Sequence, residues 1–389
     1  MGNMMSNIRR KKYRWLAAII LTLSCLLGLI STGSVLAARA TSGKLTASAP
    51  GAVCSVLQSA ELADNYWIAQ HPATTVTNNW QDATFQQGNI ALYNRVKDAT
   101  YYNYAEQWAN AHKFLLQNGH TGPFFPDYQA VGQAYLDLYA IDNKPSEISD
   151  LRSRIASEVA SVASGHVSYW NYVDALNMSM PNFARLGVLD KSAADLSTMQ
   201  TLFHYTEQVV GGHGLFNPST GLWWRDHNYV NTTTYWSRGD GWAIMDLAKV
   251  LTVLPANDPR RAAYVTVFQQ TAAALQKAQR SDGFWNVDLG NVKDFPGPES
   301  SGTAFFTYGI AWGINNGLLD AATYTPVVRS AWNALVTRAL HPNGLLGYVQ
   351  GPGSKPSDHQ PIKATDTAPY AVGGFLLAGV QVAKLTPGC

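Results

Sequence analysis

The sequence YWSRGDGWAIMDLAKVL at residues 235–251 contains the pattern that decides the fold. In its second half, the apolar residues from Ile244 to Leu251 follow the three- and four-residue spacing of a buried helix face. In its first half, two glycines allow another part of the chain to approach closely before that helix begins. The stretch therefore predicts an aromatic loop that leads directly into a core-facing helix.

Apolar stripes with the same spacing recur along most of the chain, so helices dominate the predicted fold. The connections between them are unequal: the link at 316–320 is short, whereas those at 211–238, 280–302 and 341–366 are long and rich in Gly, Pro and aromatic residues. Such alternation favours helical hairpins around an axis, with the long loops and their functional residues at one end. We expect an all-α toroid. The other clear stripes lie at 131–138, 264–278, 304–312, 327–335 and 371–382.

Strand signals are few and short. Only 221–225 and 346–349 are candidates, and both suit brief hairpin arms. A parallel-sheet fold is therefore not expected. A long helical superhelix is the other helical topology, but the chain lacks the fixed-period repeat that solenoids show.

The N-terminus has the pattern of an export signal. Basic residues at 9–12 and 14 precede an apolar run at 15–30, and small residues follow up to Ala40. We expect 1–40 to comprise the signal and the start of a linker, and 41–389 to form a single secreted or extracytoplasmic domain. The competing interpretation is an uncleaved anchor helix, because the apolar run is near the shortest length that spans a bilayer.

Removal of this signal changes the net charge of the chain. Five of the 28 Lys and Arg residues precede residue 37, which leaves 23 against 26 Asp and Glu, a formal charge of −3. No basic stripe remains to hold a phosphate backbone, so we expect no nucleic-acid partner. We also expect no membrane association after cleavage, and a monomer.

Two cysteines, Cys54 and Cys389, remain in the mature chain, one near each end. Outside the cell they could pair and join the termini, or both could stay free. The sequence contains no Cys and His cluster at metal-ligand spacing. We therefore expect neither a metal nor a cofactor.

Trp236, Arg238 and Trp242 give the 235–251 stretch a possible function. Indole rings suit the apolar faces of sugars, and a guanidinium suits a carboxylate. This combination predicts a pocket for an acidic sugar. The alternative interpretation is a helix entry whose tryptophan packs into the core.

Two acids occur in aromatic surroundings. Asp127 follows two phenylalanines and a proline, where it could be a desolvated carboxylate or a helix cap. Asp174 lies in an aromatic and apolar run, and burial there would favour its protonated form, which suits a general acid. Its alternative role is that of a structural acid satisfied by Asn171 or a backbone amide.

Three further residues are candidates for binding the substrate. Trp170 precedes Asp174, and Arg225 follows a pair of tryptophans. His213 lies in a glycine-rich loop, where a histidine is more often plain surface. Two acids, an arginine and many aromatic residues are typical of a carbohydrate hydrolase.

Four segments resemble the unsaturated uronyl hydrolases of glycoside hydrolase families 105 and 88, and family 105 in particular. The resemblance extends over 87–384. Its most specific parts are 222–242, which is similar to the family signature Trp-Ser-Arg-Gly-Asn-Gly-Trp and its preceding loop, and 300–317. The segments 127–139 and 173–178 are weaker when taken alone.

This resemblance implies an (α/α)6 barrel of six helical hairpins, formed by 41–389. It also implies an oligosaccharide substrate with a 4,5-unsaturated uronate at its non-reducing end, produced by a polysaccharide lyase. An acid protonates C4 of the double bond and water adds at C5. The resulting hemiketal then collapses and frees the next sugar.

The resemblance also implies roles for individual residues. Asp174 would protonate C4 and then help to activate water. Asp127 would hold sugar hydroxyls and stabilise positive charge near the ring oxygen. Trp236, Arg238 and Trp242 would line the uronate subsite, with the guanidinium as its polar anchor.

One departure from the family signature concerns Asp240, which stands where the family usually has Asn. A carboxylate beside an anionic sugar would repel it. Either Asp240 caps the helix from Gly241 onward, or the ligand differs. The residues around Asp174 also differ from the family pattern. This difference bears on the identity of the substrate more than on the fold.

Two alternative functions remain open at the level of sequence. The first is an ordinary glycosidase on the same barrel, with Asp127 and Asp174 as acid and base toward a saturated glycan. The second is a secreted glycan-binding protein without turnover, an interpretation that Asp240 favours.

Overall fold

The computed structural model describes residues 54–389. The export signal expected at 1–40, its cleavage and most of the linker lie outside these described residues. Within the described range, no helix combines the length and hydropathy needed to cross a bilayer.

The long helices of this range are α1 (Ser55–Gln70), α2 (Trp80–Val96), α3 (Ala99–Ala111), α4 (Val131–Asp142), α5 (Ser149–Ala163), α6 (Asp174–Leu189), α7 (Ala193–His204), α8 (Ser237–Val253), α9 (Arg261–Ala278), α10 (Ser300–Asn315), α11 (Ala321–Ala334) and α12 (Pro369–Leu385).

The even-numbered helices form an inner ring. Neighbouring contacts run from α2 through α4, α6, α8, α10 and α12 back to α2. Every residue of α10 from Ser300 to Gly313 is buried, whereas α11 buries only six of its 14 residues. A helix that is apolar all round belongs inside a domain, and one with a single apolar stripe belongs outside. The all-α, six-hairpin barrel expected from the sequence is therefore confirmed.

The ring closes where α12 packs against α2. A Cβ atom on Gly88 would overlap the backbone of Gly373, and one on Gly373 would overlap the backbone of Thr84. The two backbones are thus in direct contact, and close packing leaves no room for a side chain between them. This contact brings the first and last hairpins of the barrel together.

Loop lengths follow the expected alternation. Links from an inner helix to the next outer helix have two to seven residues, as at 97–98 and 254–260. Links that lead into an inner helix are longer, and the longest are 205–236, 279–299 and 335–368. Because all inner helices start at the same end of the barrel, the long loops gather there, as predicted.

Strands are minor in the described part of the chain. β1 (Phe216–Asn217) and β2 (Leu222–Trp223) form one antiparallel hairpin within the loop before α8. The expected arm at 346–349 forms only an isolated bridge between Leu340 and Leu346. This hairpin supports the loop that leads to the candidate site.

A disulfide joins Cys54 to Cys389, whose Cα atoms lie 4.7 Å apart. Of the two possibilities that the sequence left open, pairing is the one the structure contains. Cys54 precedes α1 and Cys389 follows α12, so the bond connects the two ends of the described chain at the short-loop end of the barrel.

Lys249 of α8 joins four inner helices at the barrel axis. Its ammonium donates hydrogen bonds to the side-chain oxygens of Gln87 on α2 (2.6 Å), Gln133 on α4 (3.0 Å) and Asn177 on α6 (2.9 Å). Burial lowers the pKa of Lys249 to about 7. A cavity of about 280 Å³ lies beside it, lined by residues of all six inner helices, and Lys249, Gln87 and Gln133 form part of its wall.

Candidate active site

A cavity of about 310 Å³ lies at the long-loop end of the barrel. Several inner helices start at its wall, and loops supply the rest. Its volume is at the lower end of the roughly 300–1,000 Å³ range of small-molecule sites, which suits one enclosed sugar ring. The cavity is lined by Trp80, Gln81, Asp127, Tyr172, Asp174, Met178, Arg225, Arg238, Trp242, Pro352 and Gly353.

Local structure explains how the two acids reach this wall. Asp174 is the first residue of α6, so its side chain lies at the open end of the ring. Asp127 belongs to the short 3-10 helix Pro126–Gln129 that leads into α4. Pro126 at the first position of that helix has a backbone angle already suited to a helix start. Neighbouring inner helices thus bring the two carboxyl groups to one cavity.

Asp127 is held by a tyrosine. The hydroxyl of Tyr172 donates a hydrogen bond of 2.6 Å to its Oδ1. Burial raises the pKa of Asp127 to about 6, the Tyr172 hydrogen bond opposes this rise, and the neighbouring Asp174 charge adds to it. Near neutral pH a carboxyl group with this pKa can be found in either protonation state.

Asp174 faces Arg225. The Arg225 Nε atom lies 3.5 Å from Asp174 Oδ2, and its Nη1 atom donates to Asp226 at 2.7 Å. The side chain of Asp174 is 15% exposed, so it is accessible from the cavity. The backbone N–H of Val173 donates to the carbonyl oxygen of Arg225 at 2.8 Å, which fixes the loop against the start of α6.

Arg225 connects the two acids. Its guanidinium carbon lies 5.3 Å from the ring centre of Tyr172, the residue that holds Asp127. Within residues 54–389 only its Nη1 atom makes a hydrogen bond, and its Nε atom is buried, so the N–H groups of Nη2 remain for a ligand. Two carboxyl groups, a phenol and a guanidinium therefore share one wall, which suits an anionic sugar and proton transfer to it.

Arg238, the residue expected to anchor the uronate, lines the cavity but is 2% exposed. Its Nη1 atom donates to the Gln350 carbonyl (2.8 Å) and the Tyr370 hydroxyl (3.2 Å), and Nη2 donates to the Gly351 carbonyl (3.0 Å). These bonds hold the loop that leads into α12. The geometry favours Arg225 over Arg238 as the partner of a carboxylate.

Trp242 lines the cavity, as the sequence predicted, whereas three other candidates do not. Trp236 is buried, and its Nε1 donates to Gln350 Oε1 at 2.8 Å. Trp170 is buried against Phe183. His213 is exposed on its loop. For Trp236 the structure therefore matches the alternative interpretation of a tryptophan packed at a helix entry.

Of the two possibilities that the sequence left open for Asp240, the structure does not contain the first, a helix cap at Gly241. The helix α8 already begins at Ser237, and Asp240 lies inside its first turn with 0% exposure. Its Oδ1 accepts the backbone N–H of Trp223 at 2.9 Å, and burial raises its pKa well above the usual range. Asp240 is fully buried and does not line the cavity, so its side chain does not contact a ligand bound there.

Several residues of the cavity were not among the sequence-based candidates. Tyr172 had a signal, since it lies two residues before Asp174 in an aromatic run. Trp80 is the first residue of α2, and its ring centre lies 6.0 Å from that of Trp242 in a perpendicular arrangement. Pro352 and Gly353 come from the loop before α12, and nothing in the local sequence marks them.

Comparison with known proteins identifies relatives. A family model described as Glycosyl Hydrolase Family 88 matches residues 59–386. A curated protein of Formosa agariphila, described as an unsaturated 3S-rhamnoglycuronyl hydrolase, is 32% identical over 235 residues, which cover 57% of this chain and 60% of that protein. The chain therefore spans well under two thirds of this relative's length.

Two solved structures share the fold along most of their length. A glycosyl hydrolase family 88 protein from Bacteroides vulgatus has a TM-score of 0.78 and 32% identity, covering 85% of this chain and 99% of its own. A protein described as a polysaccharide lyase has a TM-score of 0.78 and 31% identity, covering 85% and 97%. The matching family model is that of family 88, which the sequence resemblance named beside family 105.

Proposed function

Because the chain belongs to Glycosyl Hydrolase Family 88, we propose that it releases a 4,5-unsaturated uronic acid from the non-reducing end of oligosaccharides produced by a lyase. The observation that carries this proposal is the shared wall of Asp127, Asp174 and Arg225 in one cavity. The description of the Formosa agariphila relative as an unsaturated rhamnoglycuronyl hydrolase supports the same class of reaction.

The wall recognises the uronate through charge and shape. The unused donors of Arg225 suit the sugar carboxylate, and a guanidinium binds such a group with defined geometry. Trp80 and Trp242 offer indole surfaces to the apolar parts of the ring. The inner helices α2, α6 and α8 start at this wall, and their positive N-terminal ends add to the attraction for an anion.

In the reaction we propose, Asp174 donates its proton to C4 while the ring oxygen lone pair shifts toward C5. This forms the C4–H bond and leaves positive charge on C5 and the ring oxygen. A water molecule adds to C5 and returns a proton to Asp174, which restores the acid. The resulting hemiketal opens, and the C1 hemiacetal then expels the next sugar.

Asp127 has the complementary role. As a carboxylate it stabilises the positive charge that develops around the ring oxygen, an effect that is large where water is excluded. It can do so only when ionised, and its pKa of about 6 places this change within the working range of many enzymes. The reaction therefore needs Asp174 to hold a proton while Asp127 is ionised.

The site of action and the assembly state are also part of the proposal. The signal pattern at 1–40 supports export, and the pairing of Cys54 with Cys389 suits an oxidising compartment. We propose that the protein acts outside the cytoplasm as a monomer on soluble oligosaccharides.

A single assay tests the reaction. The conjugated double bond of lyase-treated glycans absorbs in the ultraviolet, and hydration removes that absorbance. We expect the wild-type protein to abolish the signal and Asp174→Asn to lose activity by about 10²- to 10⁴-fold, the range typical of a general acid.

Other results would point to other functions. Rising absorbance on an intact polysaccharide would indicate a lyase, the activity named for one structural relative. Constant absorbance with release of a saturated sugar would indicate an ordinary glycosidase. Binding of fragments with no turnover would indicate a glycan-binding protein.

A further inference from the structure

Phe125 differs from every other Phe, Tyr and Trp side chain in residues 54–389. It is the only one of them that is exposed, with 39% of its surface accessible. Single exposed apolar residues are common on proteins and need no function by themselves. The position of Phe125 distinguishes it, because it lies two residues before Asp127 and beside the candidate active site.

The ring of Phe125 is held in place by its neighbours. It stacks on Tyr172 with a centre distance of 5.8 Å and an angle of 28° between the planes. The ring of Tyr128 meets it edge-on at 5.2 Å. Pro126 follows directly and restricts the backbone. One face of the Phe125 ring is therefore fixed against the cavity wall, and the exposed surface remains available.

The size of the cavity determines which sugar of a bound oligosaccharide can reach the Phe125 ring. The cavity of about 310 Å³ suits one sugar ring, and Phe125 is not part of its lining. The second sugar of any bound oligosaccharide must therefore lie outside the cavity, across its rim. Tyr172 connects the two places, because it lines the cavity and also stacks under Phe125.

We propose that Phe125 is the stacking platform for the sugar next to the scissile linkage. An exposed aromatic ring binds the C–H face of a sugar with little loss of conformational freedom, because it is already held. This inference rests on the proposed function, since it assigns the neighbour of the unsaturated uronate.

Two substrates separate this contact from the reaction itself. One is an unsaturated uronate linked to a 6-deoxyhexose, and the other is the same uronate as a methyl glycoside, which has nothing to place on the ring. For Phe125→Ala we expect KM for the disaccharide to rise about ten-fold with kcat within two-fold, because the contact is made equally in the ground and transition states. KM for the methyl glycoside should not change.

Two further variants serve as controls. Phe125→Tyr keeps the ring and should behave as wild type toward both substrates. Leu189→Ala removes another exposed apolar side chain, which ends α6 at the opposite end of the barrel, and should leave both KM values unchanged. Equal effects of Phe125→Ala on both substrates, or no effect on either, would overturn the platform.

A failure of the proposed function can be told apart from a failure of the platform. If wild-type protein hydrates neither substrate, the function is wrong, and calorimetric titration of the disaccharide into wild type and Phe125→Ala still measures the contact. A Kd that rises about ten-fold in the variant would support the platform without turnover. Equal Kd values, or no binding to either protein, would overturn it.

Discussion

At the scale of single residues, Tyr172 is the group that relates the two acids to each other. Its hydroxyl bonds to Asp127, and its ring lies beside Arg225, which in turn faces Asp174. The hydrogen bond stabilises the ionised form of Asp127 and so lowers its pKa against the effect of burial. The protonation of the site therefore depends on a residue that does not itself exchange protons near neutral pH.

Replacing Tyr172 by Phe should move the acidic limb of kcat/KM to higher pH. Removal of the hydroxyl raises the pKa of Asp127 above about 6, so a smaller fraction is ionised at a given pH and activity is lost sooner on acidification. A pH profile of the absorbance assay measures the shift. Tyr128→Phe is the matched control and should not move the limb. An unmoved limb in Tyr172→Phe would mean that Asp127 does not govern it.

The two arginines of the cavity should respond differently to the same change. Arg225→Met removes the cavity-facing cation, and we expect kcat/KM to fall by about thirty-fold or more, in line with the roughly 2–5 kcal/mol typical of buried charge pairs. Arg238→Met removes the bonds that hold the loop before α12 and should mainly lower Tm. Steady-state kinetics and thermal melts separate the two. A larger kinetic loss in Arg238→Met with unchanged Tm would reverse this assignment.

At the scale of secondary-structure elements, the N-terminal ends of the inner helices position residues of the candidate site. The helix stripes of the sequence could predict the inner helices, and the aromatic context could predict Asp127 and Asp174, because both are local signals. The contact between Tyr172 and Asp127 crosses 45 positions of the chain and depends on how two loops pack. The buried positions of Trp236 and Trp170 could not be predicted from the sequence. A tryptophan just before a helix can pack into the core as well as contact a ligand, and the local sequence does not distinguish the two.

Asp240 in the first turn of α8 gives a prediction at this scale. Asp240→Asn keeps an oxygen acceptor for the Trp223 N–H and removes the cost of ionising a buried acid. Since the pKa of Asp240 is raised in the folded state, the wild type loses stability as pH rises above about 4, where the unfolded chain releases this proton. Asn has no such loss, so the variant should gain stability relative to wild type as pH rises above about 4.

Chemical denaturation at several pH values measures this difference. Asp240→Ala is the informative companion, because it also lacks the acid but leaves the Trp223 N–H without a partner, so it should be about 1–3 kcal/mol less stable than Asp240→Asn at every pH. Activity of Asp240→Asn should stay within two-fold of wild type, since the residue does not line the cavity. If the difference in unfolding free energy between Asp240→Asn and wild type does not vary with pH, the pKa of Asp240 is not raised in the folded state.

At the scale of the whole molecule, the barrel is a ring whose ends are joined covalently. The bond between Cys54 and Cys389 spans 335 positions and lies at the short-loop end, away from the candidate site. Cross-links over long stretches stabilise a fold mainly by restricting the unfolded chain. The ring geometry brings these ends together, which is why two cysteines so far apart in the sequence can pair.

Replacing either cysteine by serine should lower the free energy of unfolding by about 2–5 kcal/mol. Cys54→Ser, Cys389→Ser and the double variant should be equally affected, because each removes the same bond. Denaturation with and without reductant measures this, and reductant should change only the wild type. Well below Tm, kcat should not differ among the four proteins. A fall in kcat of the serine variants well below Tm would mean that the disulfide at the short-loop end affects the reaction at the opposite end of the barrel.

The cluster around Lys249 has a consequence for how this protein can diverge. One ammonium satisfies amide oxygens from three other inner helices, so a change at Gln87, Gln133 or Asn177 removes one of its partners in a buried setting. Compensation then has to come from a different helix of the ring. We expect these four positions to change together in evolution. Replacing all four side chains at once should be tolerated more readily than replacing any one of them alone.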